Sequence, residues 1–371
     1  SLVSATYEQG GISETIYRIP DAIGNLYKTP KKTDRTYGKG GKLLKDEQYH
    51  YHYDTEGNLI FKEFRSNTHL GALDQRAYAK KRKIELQGSA TGWAYEWSAN
   101  GTLKTVITPT GSMVHFHYDP LGRRVAKVHT PAHRKEKVVT RWVWDGNTPL
   151  HEWSYIGDYP PRISLDADGT PTTQQEPLDN LITWVFEEGS FVPCAKLEGM
   201  DQYSIITDYL GTPTHGYDRK GTLVWERELD CYGKERKLKG EKGFCNYLYQ
   251  GQYVDQETGL AYNRFRYYDP EAGSYISQDP IGLLGGKNLY GYVNDPNNWV
   301  DEFGLSRRGN SATRAHLDQV RDRFLADNPG ARHVEGGRAV GSNQKLPETY
   351  LPPRVQLAST RKGSIIRHLQ F

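Results

Sequence analysis

Two short copies of one motif carry the residues best suited to chemistry. Residues 279–283 read DPIGL and residues 301–305 read DEFGL, so Asp279 and Asp301 lie 22 positions apart. Two aspartates can hydrolyse a peptide bond when one carboxyl group is protonated and donates to the carbonyl, while the other is ionised and activates water. Like charges held close together favour this division, because each raises the pKa of the other. The pair predicts an aspartic-protease-type site; the alternative is that both copies only form turns.

A repeated unit upstream predicts the elements that position this pair. Each copy has an aromatic residue, an Asp or Ser, two spacers, a Gly and then alternating apolar residues. The copies are YHYDTEGNLIFKEF (51–64), YEWSANGTLKTVIT (95–108), FHYDPLGRRVAKV (116–128) and HGYDRKGTLVWERE (215–228). The Asp can accept hydrogen bonds from turn amides, the Gly can take positive φ, and strand formers follow. With 26 Tyr and 38 Gly, the sequence predicts a mainly β fold that grows by successive hairpins.

The regular pattern has three exceptions. Residues 130–138 and 152–180 are predicted loops, whereas residues 70–86 are the one helix candidate and could equally be a strand pair. No apolar run reaches the length of a signal peptide or a membrane span. The three cysteines, Cys194, Cys231 and Cys245, have neither metal-ligand spacing nor the pattern of a disulfide framework.

The composition changes at residue 306. Residues 306–371 carry 12 Lys+Arg against 5 Asp+Glu, a net charge of +7, whereas residues 1–305 carry 36 against 40, a net charge of −4. All eight Trp and 25 of the 26 Tyr precede residue 306. The sequence therefore predicts a repeat region (1–245), a junction region (246–305) and a basic C-terminal region (306–371) whose charge suits nucleic acid or an acidic container.

The repeats resemble the tyrosine-aspartate (YD) repeats of Rhs (rearrangement hotspot) proteins over residues 5–305. The resemblance is strongest in GLAYNRFRYYDPEAGSYISQDPIGLLGGKNLYGYVNDPNNWVDEFGL (259–305), which is similar to the Rhs repeat-associated core. Teneurins and the C components of insecticidal Tc toxins carry related shells. The resemblance implies a spiralling β-hairpin shell, or cage, closed by a core plug and followed by a short α-containing variable toxin tip.

In Rhs shells, two aspartate motifs at this spacing resemble a self-cleavage signature. The resemblance implies that Asp279 and Asp301 are the catalytic pair and that the chain is cut between Leu305 and Ser306. The other residues that match the two motifs are Pro280, Gly282, Pro296 and Gly304.

The second motif departs from the family pattern at Glu302, where the family has proline. A proline would fix φ there and restrict Asp301, so Glu302 relaxes the site and adds a third carboxylate; we expect cleavage to survive the change. Arg264 and Arg266, in the segment NRFRYYDP, can hold a carboxylate or an oxyanion. The alternative is that both arginines bond neighbouring strands and carbonyls.

The basic region offers one clear element and no complete site. SATRAHLDQVRDRFLADNPG (311–330) predicts a helix that ends at Asn-Pro-Gly. We expect no cofactor, because only an active nuclease tip would need a divalent metal. The possible ligands after the helix start are scattered: His316, Glu335, His333, Glu348 and His368. A nuclease tip and a truncated, inactive tip therefore both remain open.

Together these features predict the encapsulating shell of a secreted polymorphic toxin that frees a basic fragment for interbacterial competition. The chain begins at Ser1, which indicates a piece of a longer protein. The implied partners are a cognate immunity protein and, through the missing N-terminal part, a type VI secretion spike protein and an adaptor chaperone; nucleic acid is the implied target of a nuclease tip. The protein would be made in the bacterial cytoplasm and delivered into a target cell. The alternative is a non-enzymatic YD-repeat scaffold for binding or adhesion.

Overall fold

Strands dominate the computed structural model, which describes residues 2–9, 12–66, 72–165 and 167–305 and the backbone of two short C-terminal strands. Within these residues there is one α-helix, α1 (Arg76–Arg82), and two 3-10 turns, Lys39–Gly41 and Gly282–Gly285. The prediction of a mainly β fold is therefore confirmed. The helix candidate at 70–86 is a helix over seven residues only, and it ends where Lys83 adopts a left-handed conformation.

The chain starts with two small antiparallel pairs. Strand β1 pairs with β2, and β3 pairs with β4. Their bounds are β1 (Ser4–Gln9), β2 (Ile12–Tyr17), β3 (Ile19–Pro20) and β4 (Leu26–Tyr27).

The next eighteen strands build the main sheet and one side hairpin. Their bounds are β5 (Thr36–Tyr37), β6 (Leu43–Lys45), β7 (Tyr49–Tyr53), β8 (Leu59–Phe64), β9 (Gly92–Trp97), β10 (Leu103–Ile107), β11 (Met113–Tyr118), β12 (Arg124–Thr130), β13 (Val138–Asp145), β14 (Thr148–Ile156), β15 (Ile163–Leu165), β16 (Pro171–Thr173), β17 (Ile182–Phe186), β18 (Pro193–Glu198), β19 (Asp201–Thr207), β20 (Pro213–Asp218), β21 (Leu223–Leu229) and β22 (Glu235–Lys239). All except β15 and β16 form one 16-stranded sheet in chain order, with β14 next to β17. Strands β15 and β16 pair with each other and lie exposed inside the predicted loop 152–180.

The repeated units form the predicted hairpins. The four segments correspond to the antiparallel pairs β7–β8, β9–β10, β11–β12 and β20–β21. In the last of these, Oδ1 of Asp218 accepts hydrogen bonds from the amides of Lys220 (2.9 Å) and Thr222 (2.8 Å), and Gly221 has a φ of +78°. This turn folds the chain back because Asp supplies the acceptor and Gly tolerates the left-handed conformation.

The junction region packs against the apolar face of the main sheet. It contains β23 (Tyr253–Val254), β24 (Ala261–Asn263), β25 (Arg266–Asp269) and β26 (Ser274–Tyr275), which form one antiparallel sheet. Buried aromatic and aliphatic residues of β7 to β11 and of the junction form a common core, and its members include Tyr51, Leu59, Tyr95, Val106, Phe116, Leu260, Tyr262, Tyr267 and Ile276. The main sheet is therefore the support on which the junction region folds.

Buried ion pairs fix the junction region to the same sheet face. Lys62 on β8 contacts Asp269 at 2.9 Å, and Lys127 on β12 contacts Asp255 at 3.2 Å and Glu257 at 2.8 Å. A buried charge is costly unless it is paired, so each lysine fixes the junction at one place on the sheet.

Two short strands are described in the C-terminal region, β27 (Arg332–Val334) and β28 (Thr349–Leu351), and they pair antiparallel. The predicted helix at 311–330 lies outside the described residues. Across the described ranges, the chain has no helix long and apolar enough to cross a membrane and no group of three His, Cys, Asp or Glu side chains arranged to hold a metal ion.

Candidate active site

The tight hairpin β24–β25 positions the second aspartate motif. Asn263 and Arg266 face each other across the two-residue turn of this hairpin. Three hydrogen bonds connect the hairpin to the carbonyls of the motif: from Nδ2 of Asn263 to Asp301 (2.8 Å), from the amide of Phe265 to Phe303 (3.3 Å) and from Nε of Arg266 to Gly304. The segment that ends at Leu305 is thus held along its length before it reaches the predicted cleavage position.

One guanidinium group joins the two predicted catalytic aspartates. Nη2 of Arg266 lies 3.1 Å from Oδ2 of Asp279 and 3.3 Å from Oδ2 of Asp301. The exposed fractions are 8% for Asp279, 3% for Asp301 and 2% for Arg266. The structure therefore brings together, away from solvent, two carboxyl groups that are 22 positions apart in the sequence.

Asp301 is surrounded by hydrogen-bond donors. Its Oδ1 accepts from the amide of Leu305 (2.9 Å), and its Oδ2 accepts from the hydroxyl of Tyr275 (2.9 Å) as well as from Arg266. Nδ2 of Asn263 donates to the Tyr275 oxygen (2.8 Å) and so orients that hydroxyl. Burial, followed by the charge of Asp301, raises the pKa of Tyr275 well above its ordinary value, so its proton remains available for donation. An ionised carboxylate is the form that fits three donors.

Asp279 lies against the carbonyl of the predicted cleavage position. The first motif folds into a turn in which Oδ1 of Asp279 accepts from the amide of Ile281 (3.1 Å) and its carbonyl accepts from the amide of Gly282 (2.9 Å). The chain then bends back over the side chain at Gly285. A methyl carbon built on Gly285 would lie 2.2 Å from Oδ2 of Asp279 and 2.8 Å from the carbonyl oxygen of Leu305. The carboxyl group and that carbonyl oxygen are therefore neighbours.

The remaining motif residues support the two turns. Pro280 is exposed within the first turn, and Pro296 is buried in the loop before the second motif. Gly304 has a φ of +69°, and a methyl carbon there would lie 2.6 Å from the carbonyl oxygen of Asn263. Only glycine fits a left-handed position so close to another backbone. Leu305 is fully buried, and Ser306 lies outside the described residues.

Arg264 and Glu302 lie beside the site and not between the carboxylates. Nη2 of Arg264 donates to the carbonyl of Leu121 (3.1 Å), and its guanidinium faces the ring of Trp144. Arg264 therefore follows the alternative expectation, a bond to a neighbouring carbonyl. Burial, followed by the charge of Asp301, raises the pKa of Glu302. Glu302 is the third carboxyl group that the sequence predicted here.

Sequence reasoning missed three residues of the site: Asn263, Tyr275 and Gly285. Asn263 precedes the two arginines that attracted notice, but an asparagine at a hairpin turn has no special signal. Tyr275 is one of 26 tyrosines, and Gly285 is one of 38 glycines. Their roles depend on contacts with residues that are distant in the sequence.

Comparison with known proteins finds one family model and several sequence relatives. A family model described as RHS Repeat matches residues 97–135. The chain is 32% identical over 281 residues to "Probable deoxyribonuclease RhsA" of Dickeya dadantii (strain 3937), covering 75% of this chain and 17% of the relative. It is 30% identical over 299 residues to "Double-stranded DNA deaminase toxin A" of Burkholderia cenocepacia (strain H111), covering 77% of this chain and 19% of the relative.

One solved structure serves for comparison. The protein in "Crystal Structure of TcdB2-TccC3" matches with a TM-score of 0.47 and 18% identity, covering 82% of this chain and 18% of that one. This chain thus spans less than a fifth of each of these three proteins. The repeated hairpins and the junction packed on them define a YD-repeat β-sheet protein. The chain belongs to the Rhs repeat family.

Proposed function

We propose that this chain cuts its own backbone between Leu305 and Ser306, with Asp279 and Asp301 as acid and base. The observation that carries the proposal is that Arg266 and both carboxyl groups lie together at the carbonyl of the predicted cleavage position. Arg266 contacts both carboxyl groups, and Oδ2 of Asp279 lies beside the carbonyl oxygen of Leu305. Asp301 holds the amide of Leu305 and Arg266 holds the carbonyl of Gly304, so the last peptide before the cleaved bond is fixed at both its donor and its acceptor.

The two aspartates have different tasks in this reaction. Asp279 lies beside the carbonyl oxygen, so it carries the proton that this oxygen needs. Asp301 accepts three hydrogen bonds, which suits the ionised form and the role of base. Arg266 carries one positive charge beside two carboxyl groups. The cluster of Arg266, Asp279 and Asp301 therefore has no net charge when the two aspartates share a single proton. That state is the one an acid–base pair requires.

The reaction consumes one water molecule. Its oxygen attacks the carbonyl carbon of Leu305 while Asp301 accepts one of its protons and Asp279 gives its own proton to the carbonyl oxygen. The resulting diol collapses as the bond to the nitrogen of Ser306 breaks. Asp301 passes its proton to that nitrogen, and Asp279 regains one from the diol. The products are a carboxyl group on Leu305 and an amino group on Ser306.

Cleavage separates two parts of opposite charge. Residues 1–305 have a net charge of −4 and residues 306–371 have +7. We propose that the first part is shell and plug of a longer Rhs toxin and that the second is the fragment delivered to a competing bacterium. This proposal includes a delivery apparatus and an immunity protein as partners, and it is supported by the relative named as a DNA deaminase toxin.

A second candidate function belongs to the released fragment, which we propose acts on DNA. Its support is the net charge of +7 together with one relative named as a probable deoxyribonuclease and another named as a DNA deaminase toxin. Incubation of the cut chain with plasmid DNA, with and without Mg²⁺, separates the two chemistries. A deoxyribonuclease degrades the plasmid, whereas a deaminase leaves it intact and changes its sequence.

Intact mass and N-terminal sequencing of the purified chain test self-cleavage. We expect two pieces, the second starting at Ser306, and we expect Asp279→Asn and Asp301→Asn each to slow cleavage by at least about 100-fold, since each removes the acid or the base. Asp295→Asn, in the same loop as the second motif, is the matched control and should cut normally. A parent chain that stays whole would leave the binding-scaffold alternative, and a double mutant that still releases Ser306 would exclude the aspartate pair.

A further inference from the structure

Gly285 lies where the acid and the cleaved carbonyl meet. The methyl carbon that any other residue would carry there falls 2.2 Å from Oδ2 of Asp279 and 2.8 Å from the carbonyl oxygen of Leu305. Carbon atoms do not approach heavy atoms to which they are not bonded as closely as 2.2 Å. One of the two groups must therefore move if Gly285 acquires a side chain.

The need for glycine at this position is a matter of space and not of backbone conformation. Gly282, earlier in the same turn, has a φ of +60° and open space at its Cβ position, whereas Gly285 does not have a positive φ. An alanine can adopt the Gly285 backbone without strain in φ. Its nearest conflicts are with the carboxyl group of Asp279 and the carbonyl oxygen of Leu305.

The turn itself has room to adapt on its outer side. Leu283 and Leu284 precede Gly285 and are 75% and 78% exposed. The inner side is fixed, because the carboxyl group of Asp279 is held by the Ile281 amide and by Arg266. A methyl group at 285 can thus be accommodated by a small outward shift of the turn, and the fold remains.

We infer that Gly285 is a positioning residue for self-cleavage: its missing side chain leaves the space in which Asp279 and the carbonyl oxygen of Leu305 come together. The inference rests on the proposed function and adds a residue that does not itself take part in proton transfer. Misplacement of reacting groups by about 1 Å costs on the order of 100-fold in rate. Gly285→Ala should slow cleavage by about that factor.

The test is single-turnover cleavage of the full chain, started by dilution from urea into buffers of different pH and followed on denaturing gels. We expect Gly285→Ala to fold, by circular dichroism and thermal melting, and to cleave about 100-fold more slowly. Its residual cleavage should lose the alkaline limb of the pH–rate profile, because that limb reports the carboxyl group that donates a proton. Leu284→Ala, in the same turn but pointing to solvent, is the matched control and should cleave like the parent.

Each other outcome is decisive. If the parent is never cut, the proposed function itself fails. If the parent is cut and Gly285→Ala is cut at the same rate, or keeps both limbs of the profile, only the inference about Gly285 is overturned. A Gly285→Ala chain that fails to fold overturns it as well, since glycine would then be required by the turn and not by the reaction.

Discussion

At the scale of single residues, Tyr275 is a neutral side chain in direct contact with the carboxylate of Asp301. Its hydroxyl donates to Oδ2 at 2.9 Å, and the guanidinium of Arg266 stacks 3.7 Å from the centre of its ring. Burial keeps the pKa of Tyr275 far above neutrality, so this donor is present at every pH at which the protein works. Tyr275 therefore stabilises the ionised form of Asp301 without competing with it for a proton.

We predict that Tyr275→Phe slows cleavage by about 10- to 100-fold, because a hydrogen bond to a charged group contributes about 1.5–3 kcal/mol. The other charged groups at this place, Arg266, Asp279 and Glu302, are unchanged in the variant.

Tyr268→Phe is the control for this prediction. Tyr268 is buried and its ring packs against that of Tyr275, but its hydroxyl donates to the carbonyl of Tyr232 and not to the site. The measurement is the single-turnover cleavage rate of each variant. A rate that falls equally in both variants, or in neither, contradicts the role given to Tyr275.

At the scale of elements, the docking of the junction region depends on buried ion pairs that start from the main sheet. Lys127 on β12 joins Asp255 and Glu257, while Arg124 holds Asp255 from the other side. Burial raises the pKa of Glu257, but the charge and the hydrogen bond of Lys127, together with a backbone hydrogen bond and the charge of His129, leave that pKa below its ordinary value. The pair therefore stabilises the folded state while Glu257 is ionised.

We predict that Lys127→Met lowers the free energy of unfolding by up to about 3 kcal/mol at pH 7, because Glu257 loses its cation and Asp255 keeps only Arg124. Urea unfolding measures the change. Lys137→Met is the control, since the Lys137–Asp158 pair is 45% exposed on both sides and should contribute less than about 1 kcal/mol. Equal effects of the two substitutions would contradict the docking role.

The same pairs set the sign of the acid dependence. A carboxyl group whose folded-state pKa is lowered gives stability above its unfolded pKa, which is about 4.3 for Glu and 3.9 for Asp, and loses it as the pH falls further. Glu257 beside Lys127 and Asp269 beside Lys62 both have lowered pKa values. The urea concentration at the unfolding midpoint should therefore decrease as the pH falls below about 4. In Lys127→Met this decrease should be less steep than in the parent.

The hairpins and the carboxylate pair were predictable to different degrees. Asp218 and Gly221 fold their turn through contacts within five residues, so local sequence was enough to predict it. Asp279 and Asp301 were found because the motif occurs twice. Tyr275 and Gly285 were not, because their partners are brought to them by the packing of the junction region on the sheet. Contacts of that kind leave no pattern in a single sequence.

At the scale of the whole molecule, the proposed cut would separate two parts whose side chains carry opposite net charge. Before the cut, the net −4 of residues 1–305 and the net +7 of residues 306–371 are held together by a peptide bond. After the cut, only non-covalent forces remain between them. Attraction between opposite charges that are partly shielded from water is stronger than on an open surface, but salt weakens it.

We predict that the two pieces stay together after cleavage at low salt and separate at high salt. The screening length is about 10 Å in 0.1 M salt and about 3 Å in 1 M, so opposite charges several ångströms apart attract each other in the first case and hardly in the second. Size-exclusion chromatography of the cut chain at 0.1 M and 1 M NaCl, with gels of each fraction, measures the separation. The uncut Asp279→Asn chain is the control and should elute as one species in both buffers. Pieces that separate already at 0.1 M, or that stay together at 1 M, would show that charge does not hold the fragment.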